Sequence, residues 1–220
     1  MKTRIILMLA GLLLLNSCIL KSLQPFYIAK AISYQEDFLG NWKDTEDGTW
    51  KIQSFKTLFE NENNQFPKQS ENDKIIYNKY KKAYVVNYTK KDKEAMFVAV
   101  TFLINGKLFI DFTPFDIGLE NENELLAQHV VKTHSVAKIE RLENNKLRFK
   151  WLDESKIIAL QKQNKIRLQH EKLGVGEEAF IITATSEELY KFLEKFEASN
   201  EDDIWGSSDE ITLESVNAKP

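Results

Sequence analysis

The chain has 220 residues, 43% hydrophobic and 29% charged, with eight Gly and four Pro, a balance that excludes a disordered, collagen-like or low-complexity protein. One Cys and three His exclude a disulfide framework and a Cys-rich zinc or iron–sulfur centre, so no metal and no cofactor is expected. The formal charge of −3 divides into +2 on residues 1–17, +1 on 18–196 and −6 on 197–220; a near-neutral body without a basic patch sets nucleic acid aside as a partner.

Residues 1–17 have the layout of an export signal, with Lys2 and Arg4 ahead of an apolar run from Ile5 to Leu15. Eleven apolar residues are too few to cross a bilayer core of roughly 30 Å, which takes about 20. The run ends in Leu15-Asn16-Ser17-Cys18, which resembles the lipobox of bacterial lipoproteins, Asn16 departing from the commoner Ala or Ser. The resemblance implies that Cys18 becomes the acylated first residue of the mature chain, a lipoprotein carrying palmitate-type acyl chains. Each buried CH₂ contributes about 0.8 kcal/mol, and more than one acyl chain makes the anchor stable. The expected location is the cell envelope, held to the membrane and facing the periplasm, because Ile19-Leu20-Lys21-Ser22 lacks the acidic cluster that resembles surface-export signals. The lipid bilayer is therefore the expected partner.

Residues 18–36 read as a tether, though Leu23, Pro25, Phe26 and Tyr27 are more apolar than a free linker carries. A single β-rich domain is expected over 37–198, and 199–220 reads as an acidic flexible tail, its like charges repelling and its apolar residues sparse. The domain opens at Gly40-Asn41-Trp42, with an Asp47-Gly48 hairpin signal and a second apolar run at Trp50, Ile52 and Phe55. Residues 58–73 are polar and carry Pro67, a loop. A short helix is expected at 74–82, and strands at 84–89, 95–104, 107–113, 135–142, 146–152, 166–170 and 179–184, with turn signals at Asn105-Gly106 and Asn144-Asn145. Helices are expected over 153–163 and from the capping box Thr185-Ser186-Glu187-Glu188 through Phe196. Few helices separate the strands, so neighbours should pair antiparallel.

Gly40-Asn41-Trp42 resembles the Gly-x-Trp signature of lipocalins, and the run of antiparallel strands with a late helix is similar to that family's order. This implies a fold and no particular ligand. The start at Cys18 to Phe26 and the segment Phe109 to Asp116 resemble small lipoproteins of Bacteroidetes-type bacteria, which implies a location and no chemistry. The expected fold class is α+β, mainly antiparallel β, with the sheet either a lipocalin-like barrel or a curled open sheet with a C-terminal helix.

Candidate chemistry is thin. Asp111 and Asp116 flank a Pro-containing strand end and could work as a carboxylate pair if held about 5 to 10 Å apart. His129 and His134 could share a face as metal ligands, without a third. The acidic run Asp44 to Gly48 looks like a calcium loop but lacks the later bidentate Glu. No catalytic motif stands out, so no catalytic residue is assigned and the reading leans away from an enzyme. Two functions stay open: a protein binding an apolar or amphipathic ligand on a concave face that Phe97, Phe102, Phe109, Phe112, Phe149 and Trp151 would line, and a structural or interaction subunit of an envelope complex with no small ligand. Strand 95–104 is apolar on both faces, which requires cover on both sides.

Overall fold

The computed structural model describes residues 19–60, 70–116, 129–177, 179–199 and 204–216, without the side chains of Asp116 and of 206–209. In chain order the strands are β1 (Lys21–Ser22), β2 (Gly40–Asp44), β3 (Thr49–Ser54), β4 (Tyr84–Lys90), β5 (Lys93–Ile104), β6 (Lys107–Asp116), β7 (Ser135–Leu142), β8 (Lys146–Leu152), β9 (His170–Leu173), β10 (Ala179–Ile182) and β11 (Trp205–Ser215). Among the described residues three α-helices join them: α1 (Glu71–Tyr80), α2 (Glu154–Lys162) and α3 (Ser186–Ala198). The protein is mainly antiparallel β, as its strand density implies. Strands β2 to β8 follow one another around a closed barrel, and β11 completes it by pairing with β8 on one side and β2 on the other. The open-sheet alternative is thereby excluded.

Turn chemistry fixes much of this meander. At Asn105-Gly106, φ is 50° and 76°, the two left-handed residues that a tight hairpin turn between β5 and β6 requires. Lys91 and Asp92 adopt the same conformation, φ 49° and 61°, between β4 and β5. Asp92 is a residue type that tolerates this conformation while Lys91 is not, and the ladder pair Lys90–Lys93 places both in the turn. At Asp47 the left-handed φ of 65° is held by Asp44, whose Oδ1 accepts from the backbone N–H of Glu46 and Gly48 at 2.8 and 2.7 Å.

The helices start where capping predicts. Ser70 accepts from the Asp73 N–H and Thr185 from the Glu188 N–H, each answered by the reciprocal carboxylate, while Asp153 caps α2. Ser70 moves the start of α1 back to Glu71 from the expected residue 74. Strand β9 begins at His170 rather than Ile166; residues 166–169 carry no regular secondary structure and lie outside the ladder with β10, which ends at the His170–Ile182 pair. Among the described residues no helix is long and apolar enough to cross a membrane.

Two chain ends differ from their reading as tether and tail. From Ile19 onward the chain is docked: β1 pairs parallel with β10, Ser22 bridges His134, and Leu20, Ser22 and Phe26 are fully buried. Farther on, the Ser33 N–H donates to the Thr101 carbonyl on the part of β5 that lies beyond β4. The apolar residues at Leu20 and Phe26 thus cover sheet that would otherwise be wet. Strand β11 lies in what reads as an acidic tail. Two of its carboxylates meet cations on the neighbouring strand, Glu210 with Arg148 at 2.7 Å and Glu214 with Lys146, so these two charges, which suggest repulsion in the sequence, are matched across the ladder. Ile204, Trp205 and Leu213 are 3% exposed or less. The barrel needs this strand because the facing edges of β8 and β2 would otherwise leave a row of backbone groups unpaired.

Candidate functional site

Alternation in the strands sorts the aromatic side chains expected around a ligand. Phe112, Phe149 and Trp151 point into the barrel together with Trp42, Trp50 and Tyr84, and Phe97 packs against them from its half-buried position. Phe102 and Phe109 point outward, where they stack on each other at 5.6 Å and meet Trp205 at 5.5 Å, beneath a layer that includes α3 and β10. The six residues therefore divide between two cores on opposite faces of one sheet. Inside the barrel the rings are in mutual contact, with Trp50 to Phe149 at 6.0 Å, Trp50 to Phe112 at 6.2 Å and Phe112 to Trp151 at 5.1 Å. An eight-stranded barrel is just wide enough for its own side chains to fill it or to hold one small ligand, and these rings occupy the interior in mutual contact.

The N-terminal segment packs against that core at three places. Ile19 and Tyr34 pack against the interior cluster and Phe38 is fully buried in it. The indole N–H of Trp42 donates to the Phe38 carbonyl at 2.9 Å. The Tyr84 hydroxyl accepts from the Gln35 N–H at 2.6 Å and lies 3.2 Å from the Thr101 hydroxyl; burial outweighs these contacts and pushes its pKa up to about 12.

The candidate polar residues take partners other than those their spacing suggests. Asp111 lies on the outer face of β6, 2% exposed, with Oδ1 2.7 Å from His134 Nδ1 and Oδ2 accepting from the Phe26 N–H at 2.9 Å. Burial raises its pKa, and the His134 and Phe26 contacts only partly oppose that. The pairing follows from register: Asp111 faces Val136, so His134 is the diagonal neighbour two residues away on the same face. That offset was readable only with strand pairing in hand. The Asp116 side chain lies outside the described residues. Among the described residues no group of three or more potential metal ligands occurs, at His129 and His134 or elsewhere. Asp44, in the calcium-like run, spends its carboxylate on the turn and on the Trp50 indole N–H, 2.8 Å from Oδ2, contacts that together hold its pKa below the usual range against the effect of burial.

Glu197 is a buried site missed in the sequence. Its side chain is 3% exposed and accepts from Lys107 at 2.6 Å, Lys138 at 3.0 Å and the Trp205 indole at 2.8 Å. Burial pushes the carboxyl up, but these three donors outweigh it and hold the group below the usual carboxylate range. They belong to β6, β7 and β11, so the last turn of α3 is tied to three strands at one carboxylate. The carboxylate is held by these three donors rather than facing an open cavity, a structural tie.

The outer surface carries the open features. A groove of about 770 Å³ crosses the outside of β2 to β5, with Asn41, Lys51, Asn87 and Glu94 on its walls. A second, of about 570 Å³, runs between α3 and residues 165–169. No protein-family model, curated protein or solved structure matches the chain.

Proposed function

We propose that this chain is a lipid-anchored protein of the bacterial cell envelope, attached through acylated Cys18 and facing the periplasm, and that it works without catalysis through the outside of its barrel. The observation that carries the anchor is the lipobox-like Leu15-Asn16-Ser17-Cys18 at the chain's single Cys, one residue ahead of a docked Ile19. With so little chain between acyl group and barrel, the domain would sit directly on the bilayer instead of swinging from a long tether. The exposed outer residues of β2 and β3, among them Asn41, Lys43 and Lys51, are the opposite of the apolar band that a barrel crossing the bilayer presents. Among the two functional readings, a carrier holding its ligand inside the barrel would have to displace Trp50, Phe112 and Phe149 from mutual contact. The surface-interaction reading needs no such rearrangement. Fractionation of the Cys18→Ala chain tests the anchor: it should be exported and soluble, while the parent stays with membranes through a carbonate wash. A Cys18→Ala chain that still pellets after that wash overturns the anchor.

A further inference from the structure

We propose that the groove between α3 and residues 165–169 binds an amphiphilic anion, a single anionic headgroup on an acyl or aryl body. The helix supplies one wall at helical spacing: Glu188, Lys191, Phe192, Lys195, Phe196 and Ser199 all face the groove. Across from it residues 165–169 alternate in exposure, with Lys165, Arg167 and Gln169 exposed, Ile166 half-buried and Leu168 buried. The result is a trough with an apolar floor and a cationic rim. The floor is Ile166, Leu168, Ala184 and the half-buried rings of Phe192 and Phe196, whose centroids are 5.9 Å apart.

The rim is where charge decides the ligand. Lys165, Arg167, Lys191 and Lys195 gather there on a body whose net charge over residues 18–196 is only +1. Among the described residues none of the four is in an ion pair, although cations elsewhere on the fold pair repeatedly, as Lys107, Lys138, Arg141, Lys146, Arg148 and Lys150 do. Lys191 and Lys195 stand four residues apart on one helix face, a like-charge spacing that destabilises a helix. Glu188 is the acid in the groove; its carboxylate accepts from the Thr185 N–H and hydroxyl, each at 2.9 Å, and attracts Lys191 electrostatically, which leaves Lys165, Arg167 and Lys195 as the uncompensated cations of the rim. An anion between the walls would relieve the repulsion, and the aromatic floor favours one with an apolar body over a hydrated inorganic ion. The site lies outside the barrel and does not depend on acylation of Cys18.

The test uses the full mature-length Cys18→Ala chain, calorimetric titration and three twelve-carbon probes: laurate, dodecanol and dodecyltrimethylammonium. Laurate should saturate one site below about 100 μM, with dodecanol at least about tenfold weaker and the cation weaker still. Lys191→Glu/Lys195→Glu should weaken laurate by at least about tenfold with the melting temperature held within about 3 °C; should that variant not fold, Lys191→Gln/Lys195→Gln should weaken it in the same direction. Vesicles of phosphatidylglycerol and of phosphatidylcholine separate the sources. Retention on the anionic vesicles alone, lost in the double variant, assigns the anion to a bilayer headgroup, and laurate binding without retention assigns it to a free amphiphile. Equal affinity for laurate and dodecanol, unchanged laurate binding in the charge variants, or binding of an acidic peptide where laurate does not bind would each overturn the proposal.

Discussion

The two sides of the barrel differ in what covers them. On β2 and β3 the outer face is open: Asn41, Lys43, Thr49 and Lys51 are exposed while Trp42, Asp44, Trp50 and Ile52 are buried. The sequence alternates there residue by residue. On β5 and β6 both faces are buried, Ala99, Ile110 and Phe112 toward the interior and Val98, Val100, Phe102 and Phe109 toward the outer layers, and the sequence reads as an almost continuous apolar run. One barrel thus shows both patterns, and the pattern reports how many faces are covered rather than whether a strand is present. What covers β5 and β6 is drawn from distant chain: residues 19–33, α1, α3 and the start of β11.

The sharpest way to break this comparison is to remove the closing strand. Truncation after residue 203 removes Ile204, Trp205 and Leu213 from both cores and unpairs β8 and β2. The truncated chain should lose its cooperative melt, or melt lower by well over about 10 °C, as calorimetry would register. A truncated chain melting within a few degrees of the parent would mean that β11 does not close the barrel.

A smaller effect separates the two sides directly. Phe109→Ala on the covered outer face should cost about as much as Phe149→Ala in the interior, each about 3 to 5 kcal/mol in denaturant unfolding, because both rings are fully buried. The outward-facing Lys51→Ala on β3 should leave the unfolding midpoint almost unchanged. If Phe109→Ala were as mild as Lys51→Ala, the layer of α3 and Trp205 would not be packed on β6.

The smallest expected effect is in pH dependence. Burial raises the Asp111 pKa in the folded chain, so the protonated acid is the form the fold prefers. Its contribution to stability is fully present below the ordinary Asp range near ~3.9 and declines as pH rises through the raised folded value. Asp111→Asn, which is neutral throughout, should flatten that part of the stability profile. A profile as steep in the variant as in the parent would assign the slope to other groups.

Much of the barrel was legible because its signals are local. Asn105-Gly106 must turn, Thr185 with Glu188 must start a helix, and the alternation at 135–142 and 146–152 leads to β7 and β8 with the same bounds. A turn between the strands expected at 84–89 and 95–104 was legible, but not that it closes on Lys91 and Asp92 alone, which the Lys90–Lys93 pair decides. The His134 partner of Asp111 and the three donors around Glu197 were not legible either, because each depends on which strands lie side by side.

By itself the sequence determined the strand-rich class, the helix starts and most of the tight turns, all set by interactions within a few residues. Only the tertiary structure decided that the sheet closes, that residues 19–38 strap the barrel and pack against its core, and that the acidic segment supplies the eighth strand. The reason is physical. A carboxylate on β11 reads as repulsive beside its neighbours in sequence and becomes half of an ion pair only when Arg148 arrives from 62 positions earlier in the chain, held opposite it by the backbone ladder of β8.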